Sequence, residues 1–436
     1  MRFFPKLLSL VTLAAITNTA SATTEISFWH SMEGALGERV HEIVENFNKT
    51  QSDYKVVATY KGNYGESMNA GIAAFRAGQA PDIIQVFEVG TATMIFSNGA
   101  IKPIQEMSEE VGKAIDSNNF VPGIAGYYSD SNGKLASMPF NSSTPVLYYN
   151  KELFAKAGLD TEKAPRTYQE IRTAALKLKE TGAADCGYTT AWPAWVLVEN
   201  FGALHNIPYA TKNNGFDGLD ARIDLTQEGF VKNFEFLNDM AKEGTFTYAG
   251  RGDSANSLFS SGKCAMFTGS SGSRAGFEVN AQFDFGMGRL PINSEIVSEP
   301  LNSIIGGASL WVFNNKNEEK FKGITEFFHY ISSTDVAAKW HQDTGYVPVV
   351  KSAYEATKDS GFYDKNPGTD IPFQQLDVAT TSASRGVRLG FLPQIRDVQE
   401  GEMENLFAGK KSTQEALADM TKRSNELLAR FEKSNK

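Results

Sequence analysis

The sequence predicts an α/β fold divided between two lobes, and three observations predict it. Strand-like runs alternate with one-faced helical runs. The 414 residues that follow a leader segment exceed what one hydrophobic core usually covers, and a short polar stretch near residue 141 interrupts the pattern. The leader is residues 1–22. Arg2 and Lys6 give it a basic start, Leu7 to Ile16 an apolar run too short to span a bilayer, and Ala20-Ser21-Ala22 a small-residue cleavage site, which together read as a secretory signal peptide. The mature chain is expected to begin at Thr23, outside the cytoplasm. No cysteine follows the cleavage site to accept a lipid, and no later apolar run approaches the roughly 20 residues of a membrane-spanning helix.

The elements follow in order. Glu25 to Trp29 reads as a strand, and Val40, Ile43, Val44 and Phe47 then recur at the spacing of one helix face. Tyr54 to Tyr60 is a second strand, Tyr64 to Ala77 a helix, and Asp82 to Phe87 a third strand. Strand, helix, strand, helix, strand implies a parallel sheet flanked by helices, with right-handed crossovers. Pro145 to Tyr149 is another strand. Thr167 with Glu170, and Ser412 with Glu415, have the spacing of capping boxes; the second opens a C-terminal helix whose Leu417, Met420, Leu427, Leu428 and Phe431 would dock on a core. Asn141-Ser142-Ser143-Thr144-Pro145 is the expected first crossing between lobes, being short and polar between apolar runs. Ligands in open α/β sheets sit outside the carboxyl ends of strands, so the loops Trp29 to Gly34, Tyr60 to Tyr64 and Phe87 to Gly90 would line a cleft beside that crossing.

Composition removes several classes of function. The full chain carries a net charge of −9, which becomes −11 once Arg2 and Lys6 are lost with the leader, a balance that disfavours nucleic acid and anionic membrane surfaces as partners. Only Cys186 and Cys264 are present; one disulfide can form, and spacing does not decide whether it does. The five histidines, at 30, 41, 205, 329 and 341, include no HExxH pair, so no metal is expected, and no cofactor. There is no GxSxG elbow, no Walker A loop and no GxGxxG after a strand, whereas a two-carboxylate glycosidase leaves no spacing to test among 51 acidic residues.

Other residues are suited to holding a ligand. Ser270-Ser271-Gly272-Ser273 follows the strand-like Cys264 to Thr268 and precedes Arg274, so hydroxyls and free backbone N–H groups at a helix start could cradle an anion. The plainer reading makes one of these serines a simple N-cap. Ile304 to Ser309 contains Gly306-Gly307, which could bring backbone against a ligand or merely form a bulge. Arg396 suits a bidentate oxyanion contact or a surface ion pair. Trp192 and Trp195 flank Pro193, and either ring could stack on a polyol or a quaternary ammonium group, or pack in a core. Tyr64 and Glu88 fall in the expected cleft loops, where a carboxylate could accept ligand hydroxyls.

Read together, several segments resemble a known family: Phe28-Trp-His-Ser-Met-Glu-Gly34, Thr59-Tyr-Lys-Gly-Asn-Tyr64, Phe87-Glu-Val-Gly-Thr-Ala-Thr-Met94, Pro139 to Asn150, Lys212-Asn-Asn-Gly-Phe-Asp-Gly218, Ile304 to Trp311 and Gly345-Tyr346. The family is that of the periplasmic sn-glycerol-3-phosphate-binding proteins of ABC importers, within the sugar-binding cluster that includes maltodextrin-binding proteins. The resemblance runs nearly end to end. It implies a two-lobed periplasmic binding protein fold with three crossings and a hinge between the lobes, residues 23–141 plus 288–342 forming one lobe and 142–287 plus 343–436 the other. It also implies that Tyr64, Glu88, Ser143, Ser270, Gly307, Tyr346 and Arg396 meet the ligand and that Trp192 and Trp195 flank it. Phosphate would lie against the serines, backbone donors and Arg396, and Glu88 would take the glycerol hydroxyls. A monomeric receptor for a phosphorylated polyol, acting with membrane permease subunits in the periplasm of a Gram-negative cell, is the function implied. Differences around Phe267-Thr268-Gly269 and Ala191 to Ala194 leave the preference between glycerol-3-phosphate and bulkier diesters such as glycerophosphocholine open. A receptor for neutral sugars and an exported phosphodiesterase or glycosidase are the rival readings.

Overall fold

The chain builds two separate β-sheets, each packed with helices. The computed structural model describes residues 23–97, 99–130, 132–314, 317–378 and 380–436, so the signal-peptide reading of residues 1–22 lies outside the described residues. The first sheet contains β1 (Thr24–His30), β2 (Tyr54–Tyr60), β3 (Ile83–Phe87), β4 (Ile101–Lys102), β5 (Met138–Ser143) and, much later in the chain, β11 (Gly306–Phe313). Its order is β2-β1-β3-β11-β4, with β5 also paired to β11. The second sheet contains β6 (Pro145–Asn150), β7 (Cys186–Thr190), β8 (Phe246–Thr247), β9 (Cys264–Ser270) and β10 (Phe285–Arg289), in the order β10-β6-β9-β7-β8.

β1, β2 and β3 are parallel, as the alternation of strands and helices predicts, because each crossover helix returns the chain to the same edge. Neither sheet is wholly parallel. β11 runs antiparallel to β3 and β5, and β6 runs antiparallel to β9 and β10, since these strands enter by crossing between the sheets rather than by a helical return. The helix Gly34–Thr50 buries Val40, Val44 and Phe47, with Ile43 half-buried beside them. Both capping boxes form, at Thr167–Glu170 and Ser412–Glu415. The C-terminal helix Thr413–Asn435 buries Leu417, Met420, Leu428 and Phe431, while Leu427 is only partly covered.

The expected lobe limits need correction at all three crossings. β5 continues in the first sheet through Ser143, and β6 begins in the second at Pro145, so the first crossing is the single buried residue Thr144 rather than a break at 141/142. Thr144 donates through Oγ1 to the Pro372 carbonyl at 3.0 Å, and its own carbonyl accepts from the Ser271 N–H at 3.0 Å. Gly288 and Arg289 still pair with Leu147 and Val146 of β6, and Ile304 N–H still donates to Asn200, so the chain stays with the second half until about residue 305 instead of leaving at 288. The break expected at 342/343 falls inside the helix Thr334–Thr344; Val347, Val349, Val350 and Ala353 beyond it pack in the first core. The helix Ile371–Gln374 is where the chain returns to β6 and β10.

Cys186 and Cys264 are joined, at directly paired positions of the parallel strands β7 and β9, with Cα atoms 4.4 Å apart. The bridge ties the middle of the second sheet across a sequence separation of 78. Among the described residues no helix is long and apolar enough to cross a membrane.

Three histidines are enclosed in the packing. His205 accepts the Asn293 N–H through Nε2 at 2.9 Å and therefore donates through Nδ1 to the Phe201 carbonyl at 2.7 Å. His341 likewise donates through Nδ1 to the Tyr346 carbonyl and accepts through Nε2 from Tyr363 at 2.9 Å. Burial lowers both to about 4, against the raising effect of those carbonyls, and burial with the neighbouring His41 lowers His30 to about 4. The unfolded chain, with ordinary histidine values near 6.5, binds more protons than the native state between those limits. The contribution of these histidines to stability is therefore expected to be full above about pH 6.5 and to fall toward pH 4, by at most ~1.4 kcal/mol per pH unit for each, opposed over part of that window by the raised carboxyls of Glu88 and Glu400. Urea midpoints at pH 7.5, 6 and 4.5 test this; a flat profile would mean the rings can charge without disturbing their contacts.

Candidate functional site

The carboxyl ends of β1, β3, β5, β7 and β9 and the amino end of β11 converge on one cleft between the sheets, with a cavity of about 890 Å³. The three loops expected from strand order all contribute: Met32 to Gly34 after β1, Asn63 and Tyr64 after β2, and Glu88 after β3. All nine residues proposed from the sequence line this cavity. Tyr64, Glu88 and Gly307 come from the first half; Ser143 stands at the first crossing and Tyr346 before the third; Trp192, Trp195, Ser270 and Arg396 come from the second half.

Arg396 lies on the helix Leu392–Phe407 and is buried. Its Nε and Nη2 fork onto both oxygens of Glu199 at 2.7 and 2.8 Å, and Nη2 also donates to Glu88 at 2.7 Å. Those bonds use three of the five guanidinium N–H groups and leave the Nη1 pair without an acceptor among the described residues. Burial opposes the charge of Arg396, but Glu199 and then Glu88 outweigh it and hold the guanidinium above its usual range. Burial pushes the Glu88 carboxyl up, Arg396 pulls it back and Glu199 adds to the rise, because one cation shared by two carboxylates leaves one negative charge unbalanced. Arg396 is thus largely occupied, which departs from the open anion clamp that the sequence suggested.

Glu199 was not singled out from the sequence. It sits in the apolar run Trp195-Val-Leu-Val-Glu-Asn-Phe201, and a lone carboxylate there is the signal that could have found it. The segment Trp195–Asn200 is π-helical, a geometry that recurs at functional sites. It serves three parts of the cleft: Trp195 packs where a side chain at Gly306 would collide with its ring, Glu199 holds Arg396, and Asn200 accepts the Ile304 N–H at 3.0 Å. Trp195 is buried, and its indole Nε1 has no acceptor among the described residues. Trp192 is half-buried, at φ +50°, with its ring 6.5 Å from that of Tyr64.

The opposite wall is a buried hydrogen-bond relay. Ser31 N–H donates to Gln85 at 2.7 Å, Gln85 to Asn141 at 2.8 Å, and Asn141 to the Tyr64 hydroxyl at 2.9 Å. Tyr64 accepts in that bond and turns its own hydroxyl proton toward the Tyr346 oxygen. Its ring stacks on Phe87 with centroids 5.3 Å apart. Gly307 pairs with Ser142 at φ +89°, and a Cβ there would stand 1.9 Å from the Asn141 carbonyl oxygen, so glycine is required by the close approach of protein backbone, while the register shift of the strand falls one residue on, between Ala308 and Ser309.

At the third corner, Ser270 ends β9 and its Oγ accepts the Gly272 N–H at 3.1 Å. The helix Ser273–Asn280 begins after Gly272 with no side-chain cap, so the simple N-cap reading of these serines does not hold. Gly272, Ser273 and Gly276 open onto the cavity. Tyr346 closes against this turn, stacked on Trp340 at 5.8 Å.

Comparison with known proteins places this architecture. The family model for bacterial extracellular solute-binding proteins matches residues 42–369. The chain belongs to that family. Within the family, the chain is 50% identical over 419 residues, 96% of its length and 95% of the relative's, to the sn-glycerol-3-phosphate-binding periplasmic protein of Yersinia pseudotuberculosis. The protein of the same description from Escherichia coli K12 is 49% identical over 424 residues, covering 97% and 96% of the two chains. Among solved structures, the UgpB of Mycobacterium tuberculosis in complex with glycerophosphocholine superposes with a TM-score of 0.79 at 23% identity, covering 94% of this chain and 99% of that one. The GacH receptor of Streptomyces glaucescens gives 0.76 at 21% identity, covering 93% and 99%. These structures share the two-lobed fold.

Arg396→Ala would leave Glu88 and Glu199 buried without their cation, and a loss of about 3–5 kcal/mol in unfolding free energy is expected, with Arg396→Lys recovering only part because an ammonium cannot fork. Equilibrium denaturation measures it; a change below 1 kcal/mol would show the carboxylates to be solvated or protonated. Gly307→Ala is expected to abolish binding and lower the melting temperature, since the methyl group strikes backbone rather than a movable side chain.

Proposed function

We propose that this protein captures glycerol-3-phosphate, and with it glycerophosphodiesters, in the periplasm and delivers the solute unchanged to the permease of an ABC importer. The observation that carries this reading is the convergence of nine separately expected residues, from both sheets, on one cavity. Whole-chain identity near one half to relatives described as binding sn-glycerol-3-phosphate supports the same solute.

The charges divide the cavity into two ends. The phosphate is best accommodated at the Ser270–Ser273 turn, where hydroxyls and the start of the helix Ser273–Asn280 offer donors, aided by Ser143 and Gly307. At the other end the Glu88–Arg396 pair offers an acceptor beside a donor, the complement of a polyol hydroxyl. The excess negative charge of Glu88 and Glu199 over Arg396 favours this polarity and disfavours its reverse. Closure of the lobes around the solute would exclude water from both ends and select the form that the permease recognises.

Calorimetry on the mature protein is expected to give a one-to-one isotherm with glycerol-3-phosphate and none with maltose. Binding of maltose alone would make the protein a receptor for neutral sugars. Ser270→Ala should weaken glycerol-3-phosphate by ~1.5–3 kcal/mol, the range for a hydrogen bond to a charged group. Release of free choline or glycerol-3-phosphate during prolonged incubation with glycerophosphocholine would replace the receptor reading with that of a hydrolase.

A further inference from the structure

One carboxylate in the cavity is left unused by this assignment. Glu400 lies one turn after Arg396 on the helix Leu392–Phe407, lines the cavity, and is only 6% exposed. Among the described residues it forms no salt bridge, and the one hydrogen bond to its side chain is a long 3.5 Å contact from the Ala194 N–H. Every cation near it is engaged elsewhere. Arg396 is taken by Glu199 and Glu88, and Arg251, packed against the same helix, forks onto Glu404 at 2.7 and 2.9 Å with Asp397 at 4.0 Å. From the remaining elements packed on it, Ala194 offers only backbone, and the Tyr248 hydroxyl goes to the Glu400 carbonyl. Trp192, half-buried, lines the same cavity.

A buried acid that opens on a ligand cavity without a cation is poorly stabilised by the protein alone. A ligand ammonium group is the partner that its chemistry lacks, and an indole face nearby suits the same group. The volume agrees: about 890 Å³ is near the upper end of the ~300–1,000 Å³ that encloses a drug-sized ligand and leaves ample room beyond a three-carbon phosphate.

We infer that Glu400, with Trp192, forms a head-group subsite that makes this receptor prefer phosphodiesters of glycerol bearing an ammonium head group over neutral ones of similar size. The inference rests on the glycerol-phosphate reading above. Burial pushes the Glu400 carboxyl up to about 7, with Arg396 and Arg251 pulling it down and Asp397 adding to the rise. The subsite is therefore anionic above neutral pH and loses its charge as the pH falls through 7.

Calorimetry with four ligands tests the subsite: glycerol-3-phosphate, glycerophosphocholine, glycerophosphoethanolamine and glycerophosphoglycerol. The wild type is expected to bind the two ammonium diesters at least ~10-fold more tightly than glycerophosphoglycerol at pH 8, with the advantage shrinking at pH 6. In Glu400→Gln the advantage should vanish at both pH values while glycerol-3-phosphate affinity stays within about twofold, and Glu400→Asp should restore part of it. A Glu400→Gln protein that keeps the preference, or loses affinity equally for all four ligands, overturns the subsite and makes Glu400 a packing residue. Failure of the wild type to bind any of the four would instead overturn the glycerol-phosphate reading.

Discussion

The cleft depends on one buried guanidinium held by two carboxylates. Arg396 and Glu199 belong to the second half of the molecule and Glu88 to the first, so their contacts join the lobes at the cavity wall. Removing three ionised groups from water costs several kcal/mol each, and only close, multiply bonded geometry offsets it. The surroundings supply that geometry. The π-helical turn places Glu199 for a fork, and the end of β3 places Glu88 on the remaining proton of Nη2. One cation thus serves two carboxylates, and burial pushes Glu88 toward its neutral form while Arg396 pulls it back.

The other wall reaches a fixed geometry without charge. Gln85 and Asn141 pass hydrogen bonds from the backbone of Ser31 to Tyr64, and Gly307 bends β11 so that its backbone lies on the Asn141 carbonyl. Each buried amide in the relay satisfies its neighbour. An acidic corner, a neutral relay and a serine-lined helix start thus all line the one cavity.

Much of this was legible before any coordinates. Strand and helix periodicity located β1, β2, β3, β6 and β9 within a residue or two, and the rule that ligands lie beyond strand carboxyl ends found three of the lining loops. Lobe limits were less legible, because β10 reads Phe-Gly-Met-Gly-Arg and nothing in that composition says that it pairs with β6. Residues 343–353 follow the first core for a similar reason: their partners are contributed by segments more than two hundred positions earlier, such as Val121 and Ser142. Glu88 and Arg396 could be placed at the cleft from motifs, but that they occupy each other depends on Glu199, whose local sequence looks like a core helix. Pairing in space, not position in the chain, was the missing information.

The placement of β11 has a consequence for how the protein comes to exist. This strand lies in the interior of the first sheet, between β3 on one side and β4 with β5 on the other, yet it is separated from them by more than 160 residues that build most of the second half. Until residues 306–313 are available, β3 and β5 have an open edge and the first core lacks its central partner. Long-range pairing of this kind makes folding slow, since the loop must close before the contacts reward it. The nascent first sheet therefore lacks this interior strand until nearly three quarters of the chain has been made.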